Sequence, residues 1–187
     1  MLLEWPPMDF NVPNLLTLAR ILLIPAVLIV FYLPVEQAGP LAAILFAVAG
    51  ITDWLDGYLA RRLNQMSRFG AFLDPVADKM MVAAALLLIV DHYGGVWVTA
   101  AAVIIIGREI AISALREWMA QIGDRRKVAV SYLGKLKTTA QMFALFFLLY
   151  QQPLLGLPTL QIGFVLLAIS AVLTLWSMFN YLRLALE

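Results

Sequence analysis

Apolar positions in this chain run in long blocks, without the alternation of a half-buried strand or the single stripe of a surface helix. A membrane-crossing helix needs about 20 mostly apolar residues. Six blocks approach that length, at roughly 13–33, 41–62, 75–91, 96–118, 135–150 and 160–183, the third and fifth being short. Turn chemistry separates them at Leu33-Pro34 and Gly39-Pro40, at Gly70 and Pro75, at Gly94-Gly95, at Gly123-Asp124 and from Pro153 to Pro158. The opening MLLEWPPMDF reads as an interfacial segment, and the first block, which no small-residue cleavage site follows, reads as a retained span.

The basic positions are one-sided. Arg20 stands near the start of the first block. Arg61, Arg62, Arg68 and Lys79 surround the second connection. Arg108, Arg116, Arg125, Arg126, Lys127, Lys135 and Lys137 surround the fourth, and Arg183 ends the series. The connections at 34–40, 91–95 and 151–159 hold no Lys or Arg. All thirteen cations therefore fall on one membrane face, and the positive-inside rule makes that face cytoplasmic. The expected fold is an all-α integral membrane protein of six transmembrane helices, with both termini cytoplasmic.

Composition strengthens this reading: 63% hydrophobic residues, 13% charged residues and a mean hydropathy of +0.90 are far from a soluble domain. No repeat or extra soluble segment is visible beyond about Trp118 to Gly134, so residues 1–187 are expected to form a single domain. With no cysteine, thiolate nucleophiles and thiol ligands are excluded, and any metal must be held by oxygen or by the lone His92. On this topology His92 lies on the far face and reads as a loop residue. Trp97, Tyr132 and Tyr150 read as interfacial anchors.

Against this apolar background four acids stand out: Asp53 and Asp56 in ITDWLDGYLARR, and Asp74 and Asp78 in FLDPVADKMM. Spacings of three and four put each pair on one helix face. Asp53 and Asp56 precede Arg61 by five to eight residues, or about 8–12 Å of helix, which places them at the inner polar border. Ionisable groups at membrane depth are costly and mark ion sites, proton relays or catalytic centres. Carboxylates that converge there repel one another, and so protonate or take up a cation. Their hard oxygens suit Mg²⁺ or Mn²⁺, and two such ions would form the paired arrangement that clamps phosphoryl groups. Gly57 and Ala60 form a small-residue groove, and Arg61 offers a positive fork beside it. Taken alone, the groove is equally a helix-packing seam, Arg61 and Arg62 are inner-face anchors, and the acids are a structural network or proton path.

Read together, the string is Asp53-x2-Asp56-Gly57-x2-Ala60-Arg61-x8-Gly70-x3-Asp74-x3-Asp78. It resembles the CDP-alcohol phosphotransferases at all eight positions. The resemblance implies a six-helix membrane fold with a cytoplasmic active site, commonly as a homodimer. It also implies attack of an alcohol on the β-phosphoryl of a CDP-linked donor with release of CMP. Asp53, Asp56, Asp74 and Asp78 would hold the metals, two ions, and Asp78 would be the base. Gly57, Ala60, Arg61 and Gly70 would line the CDP-diacylglycerol site.

The strings NVPNLLTLARILLIPAVLIVFY, IIIGREIAISALREWMA and SYLGKLKTTAQM are similar to the branch of that family whose acceptor is sn-glycerol 3-phosphate. The implied reaction transfers the phosphatidyl group of CDP-diacylglycerol to that acceptor, in a bacterial inner membrane and with no nucleic-acid partner. Arg108, Lys135 and Lys137, with Arg116 a less certain member, would bind the acceptor phosphate. Arg108 follows a nearly unbroken apolar run and needs an internal partner, whether Glu109, an aspartate or an anionic ligand. Asn14, Thr17 and Arg20 lie on one stripe near the same face as possible additional site residues, Asn14 being equally a helix cap. Two other readings compete: a lipid-accepting relative such as a cardiolipin synthase, and, from another class, a cation transporter whose aspartates bind the transported ion.

Overall fold

The computed structural model describes residues 12–62, 68–122 and 132–186. They form six helices: α1 (Val12–Phe31), α2 (Ala38–Arg62), α3 (Arg68–Tyr93), α4 (Val96–Ile122), α5 (Tyr132–Tyr150) and α6 (Thr159–Leu186). Four of them, α1, α2, α4 and α6, carry stretches long and apolar enough to cross a membrane, and α5 offers the shorter stretch Leu136–Tyr150. Helix α3 has the length, at 26 residues, but its first half carries Arg68, Asp74, Asp78 and Lys79. Side-chain placement is that of a protein in lipid: Leu22, Ile29, Ile51, Val103, Val165 and Val172 face outward, whereas Arg20, Asp56, Arg108 and Lys137 are buried.

Two sequence boundaries are corrected. Gly70 and Pro75 do not interrupt the chain; α3 runs through both, so the third helix is not short. Proline removes one backbone donor and leaves the rest of the ladder intact, a loss that packing in membrane helices tolerates. Gly39 and Pro40 likewise sit in the first turn of α2 rather than before it, where a backbone N–H has no intrahelical partner to lose. The Gly94-Gly95 break is sharp: both residues take positive φ, 64° and 85°, which a side chain would disfavour. The expected break at Gly123-Asp124 lies outside the described residues, as do Arg125, Arg126 and Lys127.

The chain gathers into two compact units, one reaching to Ala84 and the other starting at Ala85. In the first, α1 packs along α2. Ala38, Ala42, Ala43, Phe46 and Ala49 of α2 are buried, a mostly small-residue seam that lets the helix backbones approach closely. In the second, α6 packs against both α4 and α5. Leu145, Leu148, Leu149 and Leu167 fill that core, and the Tyr93 hydroxyl donates to the Leu148 carbonyl at 2.8 Å.

Gly163 of α6 is tightly packed against α5. A Cβ there would stand 2.8 Å from Leu148 Cγ and 3.3 Å from the Leu148 backbone nitrogen. We expect Gly163→Ala to cost about 1–3 kcal/mol by overpacking, seen as a lower melting temperature in detergent. An unchanged melting point would mean that α5 and α6 separate freely there.

Candidate active site

In the first unit the carboxylates gather around a cation from the neighbouring helix. Arg20 of α1 is 1% exposed, and its Nη1 pairs with Asp53 Oδ1 at 2.8 Å and with Asp78 Oδ1 at 2.6 Å. Its Nη2 pairs with Asp56 Oδ2. One turn earlier on α1, Thr17 Oγ1 donates to Asp74 Oδ1 at 2.6 Å and lies 3.4 Å from Asp56 Oδ2. All four aspartates, from α2 and α3, thus meet two side chains of one α1 stripe.

Helix geometry explains the meeting. Asp53 and Asp56 are three apart on α2, Asp74 and Asp78 four apart on α3, and Thr17 and Arg20 three apart on α1, so each pair shares one helix face. The Asp53 and Asp78 side chains are 42% and 45% exposed while Asp56 is 3% exposed. The cluster is therefore buried on one side and open on the other.

The donor set suits a hard divalent ion: oxygen only, from carboxylates that already converge on one positive charge. Among the described residues no three acidic or histidine side chains are spaced as a metal cage as they stand; the acids are spread over two nitrogens of a planar guanidinium. Gly70 is buried near the start of α3. Gly57, Ala60 and Arg61 belong to α2, but their surroundings lie outside the described residues.

The second unit holds a separate charge cluster. Arg108 Nη1 pairs with Glu109 Oε1 at 2.8 Å, and Lys137 Nζ reaches the same oxygen at 3.2 Å. Arg108 Nη2 also lies 3.3 Å from Ser177 Oγ of α6. The Arg108 and Lys137 side chains are 8% and 2% exposed, Glu109 28%. Two buried cations thus share one carboxylate oxygen, and cations gathered at one point suit an anion.

The CDP-alcohol phosphatidyltransferase family model matches residues 10–176. The chain belongs to that family. It is 56% identical to the "CDP-diacylglycerol--glycerol-3-phosphate 3-phosphatidyltransferase" of Escherichia coli (strain K12), over 95% of this chain and 96% of that protein. Proteins of the same description from Shigella flexneri serotype 5b (strain 8401) and Salmonella choleraesuis (strain SC-B67) are 56% and 55% identical, with the same two coverages.

In this CDP-alcohol phosphatidyltransferase the structure brings Thr17 and Arg20, secondary candidates in the sequence, into direct contact with the aspartates. Asn14 is buried one turn before Thr17 and lies inside α1, which removes its reading as a cap. Of the partners open to Arg108, Glu109 does meet it. Lys135 and Arg116 belong to α5 and α4, but their side chains lie outside the described ones. Sequence reasoning passed over Ser177, since a serine inside an apolar helix carries no signal until its neighbour is known. His92 packs edge-on against Tyr93, with ring centroids 4.7 Å apart.

Proposed function

We infer that this chain transfers the phosphatidyl group of CDP-diacylglycerol to sn-glycerol 3-phosphate, yielding phosphatidylglycerophosphate and CMP. The convergence of Asp53, Asp56 and Asp78 on one cationic centre, in a chain 56% identical to proteins described by that activity, carries the reading. Asp53, Asp56, Asp74 and Asp78 would hold Mg²⁺ or Mn²⁺, two ions in all. When bound, these supply positive charge that offsets the pyrophosphate and the leaving CMP. Gly57, Ala60, Arg61 and Gly70 would receive the CDP moiety.

Asp78 Oδ accepts the proton of the acceptor's primary hydroxyl. The acceptor's hydroxyl oxygen then forms the bond to the β-phosphorus, and the bond from this phosphorus to the CMP oxygen breaks. Arg108 and Lys137, joined by Lys135 and Arg116, hold the acceptor phosphate, and the meeting of Arg108 and Lys137 at one Glu109 oxygen supports that role. Six transmembrane helices with cytoplasmic termini, a bacterial inner membrane and a homodimer complete the proposal. It is supported by the six helices and the one-sided placement of Lys and Arg. A donor whose acyl chains stay in lipid and a water-soluble acceptor meet naturally at such a border.

The decisive assay is CMP release by purified protein from CDP-diacylglycerol with Mg²⁺ or Mn²⁺ and glycerol 3-phosphate, run beside serine, inositol phosphate and phosphatidylglycerol. We expect release only with glycerol 3-phosphate, and none once EDTA strips the divalent ions. Release with phosphatidylglycerol alone would make the chain a cardiolipin synthase. Undiminished release in EDTA would remove the metal from the proposal.

A further inference from the structure

Arg20 does more than the proposed chemistry asks of it. A buried arginine at the edge of a donor site would ordinarily pair with one acid; this one pairs with three, from two helices, and its Nε, also buried, has no hydrogen-bond partner. Four aspartates gather around this one arginine and the Thr17 hydroxyl. Without Arg20, Asp53, Asp56 and Asp78 would lose the cation they share, in a partly buried space where their repulsion is poorly screened.

Position adds a second point. Nη1 lies between Asp53 Oδ1 and Asp78 Oδ1, at 2.8 and 2.6 Å. A divalent ion that Asp53 and Asp78 would hold would draw on the same carboxylates that Nη1 already pairs with, and so would lie close to the guanidinium. Two cations that close would also repel each other strongly. The guanidinium and the ion are therefore alternatives at those oxygens. The exposed sides of Asp53 and Asp78 leave a route by which an ion can arrive.

We propose that Arg20 is the built-in counter-cation of the aspartate cluster: its guanidinium holds Asp53, Asp56 and Asp78 together when divalent ions are absent and is displaced from them when an ion binds. This rests on the reading of the aspartates as metal ligands. Two opposite effects of one side chain follow. Arg20 stabilises the metal-free protein, and it raises the ion concentration needed to fill the site.

The test is Mn²⁺ binding to the purified full chain without substrate, read by electron paramagnetic resonance of free Mn²⁺, together with melting temperatures in EDTA and in excess Mn²⁺. Arg20→Gln should bind Mn²⁺ roughly tenfold more tightly or better. It should melt below the native protein in EDTA and gain more on Mn²⁺ addition. Arg20→Lys, which keeps the charge but cannot fork between carboxylates, should fall between the two and serves the same comparison if the glutamine variant does not fold. Binding equal to or weaker than native in the folded variants overturns the proposal and makes Arg20 a preorganising residue. No Mn²⁺ bound by any of the proteins, the native one included, overturns the metal reading itself and the proposal with it.

Discussion

Asp78→Asn should insert, fold and bind the donor, and lose turnover by about 10²–10⁴-fold, the usual contribution of a positioned general base. The substitution keeps the size of the side chain and one carbonyl oxygen for Arg20, which still has Asp53 and Asp56 as charged partners. What disappears is the group that takes the acceptor hydroxyl proton. CMP release with saturating glycerol 3-phosphate measures kcat directly, and intrinsic melting checks the fold. Turnover within a few fold of native would remove Asp78 as the base and leave it only a place among the metal ligands. Arg125→Ala, outside any proposed site, should behave as the native enzyme in the same assay.

The second large effect is expected at the acceptor. Arg108→Met should raise KM for glycerol 3-phosphate by roughly 10–10²-fold, the worth of a charge-assisted hydrogen bond, with a smaller change in the KM for CDP-diacylglycerol. The reason is that Arg108 is one of two cations that meet at Glu109. With Arg108 gone, Lys137 stays held by that carboxylate at 3.2 Å, which weakens the attraction for a phosphate dianion. The companion substitution Glu109→Gln leaves both cations without their shared carboxylate, so it should lower stability rather than remove the acceptor. A kcat loss at unchanged acceptor KM in Arg108→Met would place that arginine outside the acceptor site and reduce it to a helix-packing ion pair.

Much of this site could be read without coordinates, because in lipid the cost of an unpaired charge makes every acid and base informative. Asp53, Asp56, Asp74 and Asp78 announced themselves by that cost and by spacings of three and four that only a helix turns into one face. Arg108 was legible for the same reason, as a cation after an apolar run, and Glu109 was among its possible partners. The helix count was equally open, since backbone groups in a bilayer must be satisfied within the segment and long apolar blocks leave little choice but helix. Turn residues misled at Gly39-Pro40, which lie in the first turn of α2, and more consequentially at Gly70 and Pro75. Local turn propensity argued for a break, but α3 continues through both, carrying Asp74 to Thr17 and Asp78 to Arg20.

The sequence by itself determined that this is a helical membrane protein with an acid-rich phosphotransferase string, because hydropathy blocks and residue spacing are local properties of the chain. Only the tertiary structure decided that Arg20 of α1 is the cation on which acids of α2 and α3 converge, and that Glu109 joins Arg108 to Lys137 with Ser177 beside them. Apart from the adjacent Arg108 and Glu109, those pairings span 28 to 69 residues of chain. They depend on which helix faces which neighbour, a choice made by side-chain packing between helices that no local spacing encodes.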